Sequence, residues 1–288
     1  MTDTATNAGT PPSRLRVLTL NLWQQYGTWS ERRAVLIEGI RAQQPDLLAF
    51  QESIKTDAYD QVIDLLGPGF NVVHSKRRDP NGMGISIAGR WPLGEVQEVD
   101  LNVNPRTAGF PCTTLVAEVV APDPIGPLLF VNHFPNWQLN CEYERELQAV
   151  AAAQFVEERI GESTRPVVMV GDFDADHDAA NVRFWSGRQS LGNMSVCYRD
   201  AWESTHPEDS GHTFTPDNPR VKDGVVKGMR PFRDWPFRRI DYIFVRFGAH
   251  GGNALDIVTC ERIFDEPING VWASDHFGLV ADLERGLL

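Results

Sequence analysis

Residues 166–176 read Pro-Val-Val-Met-Val-Gly-Asp-Phe-Asp-Ala-Asp. An apolar, β-branched run stops at a glycine and gives way to carboxylates. A buried strand therefore delivers its last residues into a polar mouth, and the carboxyl ends of strands are where open α/β sheets carry their chemistry. Asp172, Asp174, Asp176 and Asp178 alternate through the turn. Like charges this close repel unless a cation or a shared proton compensates, so a metal site is the first expectation. A calcium loop does not fit. Counted from Asp172, the sixth position is His177 where glycine is needed, and the twelfth is Arg183 where glutamate is needed. Counted from Asp174, the same positions are Ala179 and Trp185. Asp176 and Asp178 read instead as acids leading into a helix over 179–185, where N-terminal carboxylates are favourable.

Outward from this strand the chain alternates strand and helix signals. Residues 14–23 set Leu15, Val17, Thr19 and Asn21 against Arg16, Leu18, Leu20 and Leu22, a strand with one very apolar face. Ser30 precedes a helical stretch carrying Ala34, Ile37 and Ile40, which Pro45 ends. Residues 46–50 form a second buried strand closing on Gln51-Glu52, and residues 56–66 a second helix stopped by Gly67-Pro68-Gly69. Strands are expected over 70–74, 84–88, 114–120 and 128–133, then over 240–245, 254–259 and 277–283. The longest helix is expected over 142–160, with Leu147, Val150, Ala151, Phe155 and Ile160 as its apolar stripe. Strands apolar on both faces, with helices between them, predict two sheets packed face to face and covered by helices.

The 288 residues carry 42% hydrophobic and 23% charged side chains, ordinary values for a globular chain with a sizeable core. Acidic residues outnumber basic ones 39 to 27, for a formal net charge of −12. This weighs against non-specific nucleic-acid binding, although a divalent ion and a local basic patch can override the global sign. Cys112, Cys141, Cys197 and Cys260 lack the short paired spacing of a structural zinc site. Residues 1–13 have neither a basic start nor an apolar run, so they read as a disordered tail and not a signal peptide. No stretch approaches transmembrane length. The expectation is a cytoplasmic protein with one domain over residues 14–288.

Polar groups gather where strands meet loops: Asn21, Glu52, His133, the pair Asp172 and Asp174, Asp241, and Asp275-His276. The segments that carry them are Leu20-Asn21-Leu22-Trp23, Gln51-Glu52, His133-Phe134-Pro135-Asn136, Gly171-Asp172-Phe173-Asp174, Arg239-Ile240-Asp241-Tyr242 and Ser274-Asp275-His276. In this order, and spanning residues 15–284, they resemble the endonuclease/exonuclease/phosphatase superfamily, the DNase I-like fold. The resemblance implies an α/β fold, a four-layer α/β sandwich of two central mixed sheets flanked by helices, with the site at one end of the sheets. It also implies hydrolysis of a phosphoester with Mg²⁺ or Mn²⁺, as one or two ions.

Phosphoester hydrolysis needs a water nucleophile, neutralised phosphate charge and a stabilised leaving oxygen. Glu52 is the leading metal ligand, with Asn21 beside it as a neutral oxygen donor or a phosphate contact and Asp275 as ligand or orienter. By resemblance, Asp172 orients or deprotonates the attacking water and His276 contacts the scissile phosphate. Asp241 matches the carboxylate that partners a catalytic histidine and fixes its tautomer. His133 matches a position suited to a general acid, although residue types alone leave open which of His133 and His276 is the acid and which the phosphate ligand, and Asn136 offers a neutral donor to a phosphate oxygen. One position departs from the pattern: the family usually reads Gly-Asp-Phe-Asn, and this chain carries Asp174. An ionised Asp can only accept hydrogen bonds. Either Asp174 binds a second cation, or it stays protonated beside Asp172 and still donates. Impaired catalysis is a third reading, set last because every other motif is intact.

The segment 228–239 interleaves Arg230, Arg233, Arg238 and Arg239 with aromatic rings just ahead of Asp241. It reads either as a grip on substrate phosphate through Arg230, Arg233 and Arg239, with rings that stack a base or cover an apolar tail, or as a solvated loop packed on the core. Trp137 and Trp272 wall the pocket or fill the core. The leading function is a metal-dependent phosphodiesterase acting on nucleic acid, a phospholipid or a small phosphate compound. The alternatives are a DNA or RNA nuclease of the same fold and a non-catalytic module that binds anions.

Overall fold

Strand period decides the layering. In β1 (Arg14–Asn21), Leu15 and Val17 face one buried cluster while Leu18 and Leu20 face another. The same split holds in β2 (Leu47–Ile54), β7 (Leu128–Phe134) and β8 (Val167–Asp172). Strands apolar on both faces can be satisfied only when each sheet is covered twice. The computed structural model describes residues 14–161, 163–222, 237–247 and 255–286. The tail expected over 1–13 lies outside them, as do Arg230 and Arg233.

Two six-stranded mixed sheets result. Besides β1 and β2, the first holds β3 (Asn71–His74), β4 (Met83–Gly89), β11 (Leu255–Ile263) and β12 (Gly278–Arg285), in the order β11-β12-β1-β2-β4-β3. The second adds β5 (Leu93–Asp100), β6 (Thr113–Val119), β9 (Tyr198–Asp200) and β10 (Asp241–Arg246) to β7 and β8, in the order β5-β6-β7-β8-β10-β9. In each sheet one central pair is parallel, β1 with β2 and β7 with β8, and the other pairings are antiparallel. The two sheets thus share one topology, a repeat invisible in the sequence. Helices α1 (Trp29–Gln43) and α2 (Gln61–Leu66) flank the first sheet, and α3 (Glu142–Ile160) and α4 (Ala180–Trp185) the second. The expected four-layer α/β sandwich is what forms.

Three local readings shift. Helix α2 starts later than expected because Asp60 caps it, accepting from the backbone N–H of Ile63 at 3.0 Å. Helix α3 has the expected bounds but turns a different face inward: Ala149, Ala152, Ala153 and Val156 are buried against the sheet, while Val150, Ala151 and Phe155 are only partly covered. Alanines let the helix approach closely. The edge strands β5 and β9 carry too little apolar periodicity to be read in advance.

Between the sheets, just below the mouth formed by the ends of β1, β2 and β8, lies a layer of buried amides. Gln51 donates through Nε2 to Asn132 Oδ1 at 2.8 Å, and Asn132 Nδ2 donates to the carbonyls of Phe50 at 3.1 Å and Ser86 at 3.0 Å. These bonds tie β7 of one sheet to β2 and β4 of the other. In the low dielectric between the sheets they are strong and leave no buried polar group orphaned there.

Gly171 sets the close approach of β8 to β7. Its φ is +151°, and a Cβ there would stand 2.0 Å from the His133 carbonyl oxygen. Overpacking and a backbone conformation that L-residues avoid act together at this position. Gly171→Ala is expected to cost at least about 3 kcal/mol, read as a lower denaturation midpoint, and an unchanged midpoint would refute the steric account.

Candidate active site

Five segments from both sheets meet at one end of the sandwich. Asn21 ends β1, Glu52 lies near the end of β2, Asp172 ends β8, Asp241 begins β10, and Ser274-Asp275-His276 leads into β12. Around a cleft of about 210 Å³ stand Glu52, Asp172, Asp174, Asp275, His276 and Arg238, with an apolar wall on either side.

Local backbone aims these groups. The pairing of β2 with β4 slips between Phe50 and Ser53, and Glu52 sits in this bulge at φ +50°. A bulge breaks strand alternation and re-aims a side chain. Here it turns into the cleft a carboxylate that regular alternation would send toward the helices. Asp174 also lies in the left-handed region, at φ +50°, as do Trp23 at +52° and Gln24 at +47°. Such conformations gather at functional sites, and Asp and Asn tolerate them best. The left-handed backbone at 174 thus suits the Asp present as well as the Asn that the family resemblance leads one to expect.

The contacts cross between sheets. Asn21 donates through Nδ2 to Asp172 Oδ2 at 2.9 Å, while its Oδ1 accepts the N–H of Trp23 at 2.9 Å. Asp172 Oδ1 accepts the N–H of Asp174 at 3.1 Å. His276 Nδ1 pairs with Asp241 Oδ2 at 3.0 Å, and its Nε2 stands 3.9 Å from Asp172 Oδ2. Ser274 Oγ donates to the Asn21 carbonyl at 2.7 Å, fixing the segment before β12 on β1.

Crowded carboxylates titrate late. Burial, then the charge of Asp275, pushes Glu52 up to about 7. Burial pushes Asp174 to about 6, against the opposing pull of Arg238 and Arg145. Asp172 rises well above the usual carboxylate range through burial and the Asp174 charge, and burial also raises Asp275. Burial alone would lower His276, but the carboxylates of Asp241 and Asp172 outweigh it and hold the imidazolium well above its ordinary value.

This donor set fits a hard divalent cation. Asp172, Asp241 and His276 bring their polar atoms within 4.8 Å of one another; with His276 held as the imidazolium the cation's donors among them are the carboxylate oxygens, and Asp241 Oδ1 is buried with no hydrogen-bond partner among the described residues. Glu52 and Asp275 add oxygen donors whose mutual repulsion a cation relieves.

Other expected residues sit elsewhere. His133 does not reach the cleft. Strand alternation points Phe134 into the cleft and His133 toward α4, where it packs on Phe173 and Trp185 with its Nδ1 bonded to Thr114 Oγ1 at 2.7 Å. Burial lowers it to about 3, so it is neutral near pH 7 and carries no proton to give. Asn136 is buried too. It donates to Gln138 Oε1 at 2.7 Å and accepts from Gln148 Nε2 at 2.8 Å, holding the loop that presents Trp137 to the cleft. Arg239 turns away, pairing with Asp200 in the interior and lying over Tyr242 at 4.9 Å. Its neighbour Arg238 faces the site instead, donating to the Asp174 carbonyl at 2.8 Å and pairing with Asp176 at 3.3 Å. Asp176 therefore anchors this arginine rather than leading into α4, whose N-cap is Ala179. Trp272 stacks on Phe277 and does not line the cleft.

Sequence reading missed Arg32. Fully buried in α1, it donates to the carbonyls of Leu22, Trp23, Tyr26 and Ala273, and so clamps the loops on both sides of the cleft. Burial lowers it to about 10, against the opposing charges of Asp275 and Glu52. The only local signal was a cation on the inward face of an amphipathic helix.

The sequence matches the Endonuclease/Exonuclease/phosphatase family over residues 18–276. No curated protein sequence matches it. Among solved structures, D. rerio TDP2 complexed with single strand DNA product is 19% identical, with a TM-score of 0.70 over 95% of this chain and 100% of that one. The human Nocturnin catalytic domain with bound sulfate is 18% identical, with a TM-score of 0.69 over 95% of each chain. An endonuclease/exonuclease/phosphatase from Bacteroides vulgatus is 19% identical, with a TM-score of 0.68 over 94% of this chain and 99% of that one. At these identities the likeness is one of fold.

A divalent cation held by Glu52 close to Asp174 would compete with the protons of both carboxyls. Because both titrate high, affinity for Mn²⁺ measured by calorimetry is expected to climb as pH rises from about 5.5 to about 8. Asp174→Asn removes one of these protons and should make the climb shallower. A flat profile in the wild type would contradict the placement of these carboxylates around the ion.

Proposed function

This chain belongs to the endonuclease/exonuclease/phosphatase family, and from that premise we propose that it hydrolyses a phosphodiester with the help of Mg²⁺ or Mn²⁺. The observation that carries the reading is the cluster of Asp172, Asp241 and His276, built from both sheets at one end of the sandwich. Glu52 and Asp275, with Asp172 beside them, are the residues to hold the ion. When bound, the ion neutralises phosphate charge and sharpens the electrophile.

The chain's own groups divide the remaining work. Asp241 accepts from His276 Nδ1 and fixes the ring, leaving Nε2–H to face the cleft. The imidazolium supplies positive charge to a phosphate oxygen and is the described group able to hand a proton to the leaving oxygen, a role that buried His133 is not placed to fill. Asp172 is oriented twice, by the Asn21 amide and by the Asp174 N–H, so that it can accept a proton from water. Asn21 thus serves as a positioning residue for Asp172; its side-chain Oδ1 is already engaged by the Trp23 N–H. The low-dielectric cleft strengthens each of these interactions.

Hydrolysis of bis(p-nitrophenyl) phosphate with Mn²⁺ tests the reading. Activity should vanish with chelator and return with metal. His276→Ala and Asp172→Asn should each lower kcat by about 10²- to 10⁴-fold. Absence of turnover in the wild type, or equal turnover in His276→Ala, would favour a binding module that keeps the fold.

A further inference from the structure

The walls of the cleft differ from its floor. The floor is acidic, whereas the walls carry Trp23 and Tyr26 from the loop after β1, and Phe110, Phe134 and Trp137 from the other sheet, with Phe214 beside His276. Tyr26 leaves 45% of its surface in solvent at the rim, with one side of its ring packed on Trp23 at 5.8 Å. Trp23 is buried, yet its indole N–H has no acceptor among the described residues.

These rings are held in place. Arg32 lies 4.7 Å from the Trp23 ring and bonds the Trp23 and Tyr26 carbonyls, while Phe110 packs on Phe134 at 5.1 Å. A pre-organised pair of aromatic walls binds flat apolar groups with little ordering cost. An extended polyanion needs a series of cations along its path. Among the described residues the lining supplies one guanidinium, Arg238, and it is already bonded to Asp176 and to the Asp174 carbonyl.

We infer that the substrate is a compact phosphoester bearing a flat, aromatic ester group, seated between Tyr26, backed by the buried Trp23, on one side and Phe110 and Trp137 on the other, with its phosphate over the acidic floor. The inference rests on the phosphoesterase reading for the phosphate and goes beyond it in naming the ester group.

Calorimetry on the Mn²⁺-loaded protein distinguishes the possibilities, with phenyl phosphate, butyl phosphate, methyl phosphate and a short single-stranded DNA as probes. Phenyl phosphate is expected to bind at least about ten-fold tighter than methyl phosphate and tighter than butyl phosphate or the DNA. Trp137→Ala and Tyr26→Ala should each weaken phenyl phosphate at least about five-fold while methyl phosphate changes less than about two-fold. Retained methyl phosphate binding shows that the variants are folded. Equal binding of phenyl and methyl phosphate, or tighter binding of butyl phosphate or DNA, would overturn the inference even where the chromogenic diester is hydrolysed. Failure of that hydrolysis with the phenyl preference intact would overturn the catalytic reading alone.

Discussion

Four carboxylates, Glu52, Asp172, Asp174 and Asp275, stand in one cleft where burial pushes all of them toward the protonated state and mutual charge adds to the push on Glu52, Asp172 and Asp174. The rest of the site answers that constraint. His276 holds its proton against burial because Asp241 and Asp172 face it. Arg238 and Arg32 bring charge close by but bond mainly to carbonyls and to Asp176, so they steady the loops more than they neutralise the acids. A divalent cation is the economical remedy, since it relieves several repulsions at once and needs only oxygen donors.

Holding such a cluster requires rigid supports, because each acid would relax toward solvent if its backbone were free. The sandwich provides them in two ways. Buried amides of Gln51 and Asn132 lock the sheets together just below the mouth. Bulged and left-handed backbone at Glu52 and Asp174 then turns side chains inward against the ordinary alternation of strands. Strain of this kind persists only where the surrounding structure over-determines it. The layering, with apolar clusters on both faces of each sheet, is that surrounding structure.

Much of this was legible in the chain itself. The run ending in Gly171-Asp172 announced a strand that opens into a polar pocket, and the two-faced apolar strands announced stacked sheets. Asp172, Asp241 and His276 were each placed at strand ends, and they do converge. Their neighbours were harder to read. Asp176, one acid in an alternating run, pairs with Arg238 across 62 residues of chain. Arg32 looked like one more charge on a helix until its four carbonyl acceptors became visible.

Residue types and strand ends followed from the sequence alone, because strand and helix periods are local and a glycine or a carboxylate carries its chemistry with it. Which of two adjacent residues faces the cleft was decided only in three dimensions. Phe134 rather than His133 lines it, and Arg238 rather than Arg239. That choice depends on register and on a bulge, which are set by pairing with distant strands, and a slip of one residue sends a side chain to the opposite face of its sheet.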